Sequence, residues 1–316
     1  MRIETGNHKL WIIGDPHLGR EFKNGVPLHR RGEREAAQMA QFRAELAEDA
    51  AMVVMIGDLF DKPFVPLPVI HATAAEIIAA ALDRPHVTFV MLAGNHDKSR
   101  QLEVRGAWEL LELAIRWLPN VRVVNETTVI EGVALYPWQW DTTAEEQVAR
   151  FGSSCPIAIG HWDLQDFGGD TSHMVPAKAL AKWGVSTIVS GHYHLPGEYE
   201  VDGIPVICTG SMQPYTHAED PAGDLYVTLT VDEALARDDL GNKCVRILLQ
   251  PGEDMPEIDC LQLTNKRADV EADELEISDI GIGGFDIHKT LADEFTSNEV
   301  PAEVQTFIKE RMGAFA

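Results

Sequence analysis

The chain has 316 residues, 45% of them hydrophobic, which suits one large or two ordinary globular domains with a substantial core. No apolar run is long enough to span a bilayer, "LWII" is the only apolar run near the start, and Cys155, Cys208, Cys244 and Cys260 are widely scattered. A membrane span, a secretory leader, a disulfide framework and a cysteine-built zinc site are therefore not expected, and a soluble cytoplasmic protein is. A formal charge of −24 opposes broad adhesion to nucleic acid, because a polyanion is repelled by a surface of its own sign.

That charge is unevenly placed. Residues 251–316 hold sixteen acids against five lysines and arginines, whereas "REFKNGVPLHRRGER" (20–34) holds five basic residues and two acids. Along the chain, apolar and β-branched runs predict buried strands at 9–13, 52–56, 87–92, 156–159 and 185–189. Helical spacing predicts helices at 34–48, 68–82, 103–117 and 176–183, and the alternation implies a layered α/β fold. From about 198 the pattern changes to short strands, "GEYEV", "IPVICT", "LYVTLTV" and "CVRILLQ", read together as completing a second sheet. Last, "IHKTLADEF" and "PAEVQTFIKERM" predict two short helices, the second with Val304, Phe307, Ile308 and Met312 on one face. The expected division is thus 1–263, holding the sheets, and an acidic C-terminal segment, 264–316.

The residues that follow each buried strand carry the chemistry. "LWII" runs into "GDPH", "VVMI" into "GDLFD", "FVMLA" into "GNHD", "PIAI" into "GH" and "VSTIVS" into "GHYH". Ligands of open α/β sheets bind beyond the carboxyl ends of strands, so Asp15, His17, Asp58, Asn95, His161, His192 and His194 are expected to meet at one edge. His192 and His194, two apart, point the same way in an extended chain, and neutral imidazole is the commonest metal ligand. Oxygen and nitrogen donors without thiolate suit manganese, iron or zinc. They are numerous enough for two ions bridged by a carboxylate, a pair suited to phosphoester hydrolysis.

In this order "GDPHLG", "GDLFD", "GNHD", "GH" and "GHYH" resemble the full signature of the calcineurin-like metallophosphoesterases, over roughly residues 9–215. The resemblance implies a two-sheet β-sandwich flanked by helices. It implies Asp15, His17 and His194 on one metal, Asn95, His161 and His192 on a second, and Asp58 bridging them. It further implies that His96 contacts the phosphate and assists the leaving oxygen, oriented by Asp97. Within that superfamily, "DPHLGR", "GDLFD", "AGNHD" and "TGSMQPYTHAED" are similar to the SbcD-type DNA-repair nucleases, to which phage recombination nucleases belong. That closer resemblance implies a DNA nuclease using two divalent ions, manganese first, with iron, zinc or magnesium as alternatives. It also implies an SbcC-type ATPase partner gripped by the C-terminal helices, and a homodimer is compatible with it. Asp61 stands where the archaeal and eukaryotic branch has histidine, which matches the bacterial and phage pattern. Only about fifty residues follow the expected sheet-bearing part, 1–263, so the family's DNA-capping domain is expected to be absent or much reduced.

Beside these motifs, Arg20, Arg30, Arg31, Lys98, Arg100 and Arg105 are expected to hold the flanking phosphates of a polynucleotide. Trp138 and Trp140 in "YPWQW" are read as core packing in preference to base stacking, and His173 and His217 as ordinary loop residues. A small-substrate phosphatase or cyclic-nucleotide phosphodiesterase shares every metal ligand and is the alternative activity; a non-catalytic scaffold of the same fold is the other.

Overall fold

A computed structural model describes residues 1–5, 8–101, 103–152, 154–164 and 171–267. The chain divides into two units, Met1–Lys266 and Arg267–Ala316, and every strand-end motif lies in the first. The two expected C-terminal helices lie outside the described residues.

The first sheet has five strands in chain order, β1 (Arg2–Thr5), β2 (His8–Ile13), β3 (Met52–Met55), β4 (Thr88–Leu92) and β5 (Val121–Val124). β1 is antiparallel to β2, and all later neighbours are parallel. Parallel strands need crossovers, and these carry α1 (Glu33–Leu46), α2 (Leu67–Asp83) and α3 (Ala107–Ile115). The second sheet contains β6 (Thr128–Ile130), β7 (Val133–Tyr136), β8 (Ile157–His161), β9 (Thr187–Gly191), β10 (Gly197–Val201) and β11 (Ile204–Cys208). Its order is β10-β11-β9-β8-β7-β6, with α4 (Ala144–Phe151) and α5 (Ala177–Lys182) in the connections.

Alternation along the strands assigns the layers. Ile13, Val53, Met55, Phe89 and Met91 pack on Phe42, Leu46, Ile77, Trp108 and Leu111 of the first three helices. Their neighbours Ile12, Met52, Val54, Val90 and Leu92 face the other way, onto Val133, Leu135, Ile157, Ile159 and Val189 of the second sheet. The far side of that sheet, through Ala134, Tyr136, Ala158 and Ile188, is covered by Val148 and Leu180 of α4 and α5. Two face-packed sheets between helical layers result, which explains why the central strands are apolar on both faces.

The late strands depart from the expectation. β10 and β11 join the second sheet, but β12 (Tyr226–Thr230), β13 (Cys244–Leu249) and β14 (Gln262–Arg267) form a third sheet. Val227, Val245 and Ile247 close a separate small core with Ala234 of α6 (Val231–Leu235). β14 spans the expected boundary between residues 263 and 264, which therefore falls inside a strand. Arg34 of α1 links this sheet to the first layer: it is buried, donates to the Tyr226 hydroxyl at 2.9 Å and lies over the rings of Phe22 and Tyr226. No helix among the described residues is long and apolar enough to cross a membrane.

Candidate metal centre

The carboxyl ends of β2, β3 and β4 from one sheet, and of β8 and β9 from the other, deliver the motif residues to one place. Three of these residues, His17, Asp58 and His192, hold φ between 45° and 73° without being glycine, a conformation that is sparsely populated and concentrates at functional sites. Two glycines make room for the turns. Gly57 has φ 121°, and a Cβ there would strike the His161 ring; a Cβ on Gly94 would strike the Asp58 carboxylate.

The donors fall into two clusters that share Asp58. In the first, His17 Nε2 lies 3.0 Å from His194 Nε2 and 3.7 Å from Asp58 Oδ2, and His194 Nε2 lies 3.8 Å from Asp15 Oδ2. In the second, His161 Nε2 lies 3.3 Å from Asp58 Oδ1, and Asn95 Oδ1 lies 2.9 Å from both His161 Nε2 and His192 Nδ1. Asp58 thus turns one oxygen to each cluster. All seven expected donors are brought together.

The outward nitrogens of the imidazoles reveal which atoms face inward. His161 Nδ1 donates to the Ile56 carbonyl at 3.1 Å, His192 Nε2 to Asp163 Oδ1 at 2.7 Å, and His194 Nδ1 faces Glu219 Oε1 at 3.4 Å. With those N–H groups committed outward, His161 and His192 turn their other nitrogens inward, toward Asn95 Oδ1, and in the neutral form those nitrogens carry lone pairs. Turned over, the Asn95 amide would donate from its nitrogen to His192 Nδ1 and His161 Nε2 at 2.9 Å; with its oxygen inward it joins the imidazole nitrogens and carboxylates as one ligand set. The residues therefore fit divalent metal, with the outer hydrogen bonds fixing each ring as metal-bound histidines require. Groups comprising Asp15, His17 and His194, and Asp58, His161 and His192, are close enough to hold an ion.

Burial lifts Asp15 to about 6 and drives His17 down to about 3. Burial also opposes charge on His161 and Asp58, but their mutual attraction, helped by Asp15 and His17, outweighs it. His161 is held at about 9 and Asp58 far below the usual carboxylate range. Among the described residues Asp15 Oδ1 and His17 Nδ1, both buried, have no hydrogen-bond partner.

His96 sits at the margin, its ring centroid 4.9 Å from that of His17. Its Nδ1 is 2.6 Å from the Asp61 carbonyl oxygen, which can only accept, so Nδ1 carries hydrogen and Nε2 is the reactive end. The expectation that Asp97 orients His96 is corrected here. Asp97 accepts from the backbone amides of Phe60 at 2.9 Å and Gly94 at 2.8 Å, pinning the two motif loops together, and burial lifts it to about 7.

The expected phosphate-binding cations have different surroundings. Arg20 reaches Asp61 Oδ1 at 3.5 Å and lies 4.7 Å from the Tyr215 ring centre. Arg30 is engaged with Glu33 at 2.9 Å, Asp259 at 3.4 Å and the Gly241 carbonyl. Exposed Arg31 borders a hollow of about 420 Å³ together with Arg20, Phe22 and Lys23. Lys98 and Arg100 line a small depression with Asn95, His96 and Trp140, and burial lowers the Lys98 ammonium. Arg105 lines the larger cleft beside it.

Sequence reasoning missed Asp163 and Glu219. Asp163 follows His161 by two residues on extended chain, a usable signal; Glu219 comes from a loop and gave none. His173, read as a loop residue, is buried and stacks at 3.8 Å on Trp138, whose ring centre lies 5.4 Å from that of His192. Trp138 is thus packing, as expected, but packing that braces a donor.

A profile of the calcineurin-like phosphoesterases matches residues 8–196, more than half of the chain, and the chain belongs to that family. Metal-dependent phosphoester hydrolysis is the activity that membership gives. Among solved structures, the chain is similar to the phosphopantetheinyl hydrolase of Mycobacterium tuberculosis, at 14% identity and TM-score 0.38, over 65% of this chain and 93% of that one. It is also similar to GAP50, the anchor in the inner membrane complex of Plasmodium, at 12% identity and TM-score 0.34, over 65% and 71%. A comparison with curated proteins finds no match.

Proposed function

We propose that the protein is a two-metal phosphodiesterase that cleaves a nucleic-acid strand, a DNA nuclease of SbcD type whose preferred ion is manganese. The observation that carries the two-metal reading is Asp58, whose Oδ2 and Oδ1 face two separate sets of nitrogen donors at 3.7 and 3.3 Å. Asp15, His17 and His194 would complete one site and Asn95, His161 and His192 the other. When bound, a pair of divalent ions supplies an activated water and neutralises charge on the phosphate oxygens.

The chain's own residues do the rest. The Asp61 carbonyl holds His96 Nδ1–H, so Nε2 faces the substrate, and the imidazolium form would pass its Nε2 proton to the leaving oxygen and return to the neutral ring. Asp163 and Glu219 keep His192 and His194 turned inward. Arg20, Arg31, Lys98 and Arg100 supply positive charge near the site in an otherwise acidic protein, which supports a polynucleotide with several phosphates over a small singly charged ester. The SbcC-type ATPase, a homodimer and the grip of the C-terminal segment belong to this same proposal.

A second reading, a phosphodiesterase of small substrates, is favoured by one observation: Arg30 and Arg34 of the basic stretch serve internal contacts. Incubation with manganese, end-labelled single-stranded and duplex DNA, and a chromogenic phosphodiester separates the two. Cleavage of DNA and ester is expected; an ester cleaved beside intact DNA would leave the small-substrate enzyme.

A further inference from the structure

Beside the depression that contains Asn95 and His96 lies a cleft of about 650 Å³, and the two share Lys98, Ser99 and Trp140 as a common wall. The volume is that of a small-ligand site. Trp140 is half-buried, with the Arg100 guanidinium 4.7 Å from its ring centre, so an indole lines both the cleft and the depression that holds Asn95 and His96.

Two buried polar atoms of residues lining the larger cleft have no hydrogen-bond partner among the described residues. Gln147 uses its Nε2 to donate to the Pro137 carbonyl at 3.1 Å and Gln139 Oε1 at 3.3 Å, which leaves Oε1 unbonded. The Trp138 indole Nε1 is unbonded as well. Trp138 and Gln147 are only 6% and 4% exposed, and an orphaned buried donor or acceptor costs about 1–3 kcal/mol. One orphan is a donor and the other an acceptor. Charge in the cleft is mixed: Lys98, Arg105 and Arg150 face Glu109, Glu112, Glu126 and Asp141. A chain of phosphates gains little there, whereas an uncharged planar group gains a stacking surface and hydrogen-bonding walls.

We infer that the cleft seats a nucleobase, stacked on Trp140 and recognised along its polar edge at Trp138 and Gln147, while the attached phosphate lies at the metals. This rests on the phosphodiesterase reading and adds the substrate class: a nucleoside phosphodiester whose base is turned out of its stack. Stacking on an aromatic side chain is worth about 1–3 kcal/mol per base, roughly 5- to 150-fold.

The test compares kcat/KM, with manganese, on the p-nitrophenyl ester of thymidine 5′-monophosphate and on methyl p-nitrophenyl phosphate. The wild type should favour the nucleoside ester by that factor, W140A should bring the ratio close to one, and W140F should keep most of it. A wild-type ratio near one, or a W140A variant slowed on both esters with its ratio intact, would overturn the inference. Should neither ester be cleaved, the phosphodiesterase reading fails separately, and calorimetric titration with adenosine 5′-monophosphate still decides. Binding weakened at least fivefold in W140A would uphold the base site, and equal or absent binding would refute it.

Discussion

At the scale of the residue, the proposed roles of Asp58 and His96 are separable, one holding metal and the other reacting. Removing the shared carboxylate leaves both donor clusters incomplete, so Asp58→Ala should cost occupancy at both sites. Metal analysis that still finds two ions per chain at wild-type affinity would refute the bridging role. His96 offers Nε2 to a substrate and its Nδ1 is taken by a backbone carbonyl. A general acid contributes about 10² to 10⁴ in rate, so His96→Ala should lose most turnover and keep its metal; normal turnover would exclude the role, and metal loss would make His96 a ligand. The seven donors are legible in the sequence because each follows a glycine-containing turn at a strand end. The partner of His96 is not, because a main-chain carbonyl leaves no trace in residue identity. Asp97 misleads for a related reason: its motif position does not say that its two oxygens are spent on the amides of Gly94 and Phe60.

At the scale of the element, burial alone does not decide what is legible: the fully buried β7 escapes the sequence reading, whereas β10, at the edge of the second sheet, is expected as "GEYEV". β3 and β8 are fully buried runs. β5 has only four residues, buried at both ends and open between, and β6 has only three, too few for periodicity to stand out. The third sheet shows a different limit, since a local pattern announces a strand without naming its neighbours. Phe42 on α1 tests the helical layer: it is fully buried against the first sheet and remote in sequence from every motif. Phe42→Ala should cost about 3–5 kcal/mol by leaving a cavity, seen as a lower urea midpoint at unchanged slope. Its metal content when folded should be normal; loss of metal without loss of stability would mean that α1 shapes the site directly.

At the scale of the whole molecule, charge sets who approaches. An acidic protein with cations near one site confines a polyanion to that place, through ion pairs that salt weakens. Neutralising Arg20 and Arg31 together should lower DNA binding more than ester hydrolysis. For each phosphate no longer neutralised, the salt dependence on single strands should flatten by about 0.7 in logarithmic slope. Equal losses on both substrates would assign the arginines to the fold. Arg30, held by Glu33 and Asp259, should instead report as a stability mutant.

Neither cluster belongs to one sheet. Asp15 and His17 from the first sheet meet His194 from the second, and Asp58 and Asn95 from the first meet His161 and His192 from the second. An ion in either place is a cross-tie between the two halves of the sandwich, so its concentration becomes a thermodynamic variable of folding. At a hundredfold excess over Kd, each site adds about 2.7 kcal/mol, or roughly 5–10 °C in Tm for a unit of this size. Chelation should therefore lower Tm and speed amide exchange first in the segments after β8 and β9, where the second sheet would lose its hold on the first. A melting curve indifferent to chelator would mean that the sheets are joined by their apolar faces alone.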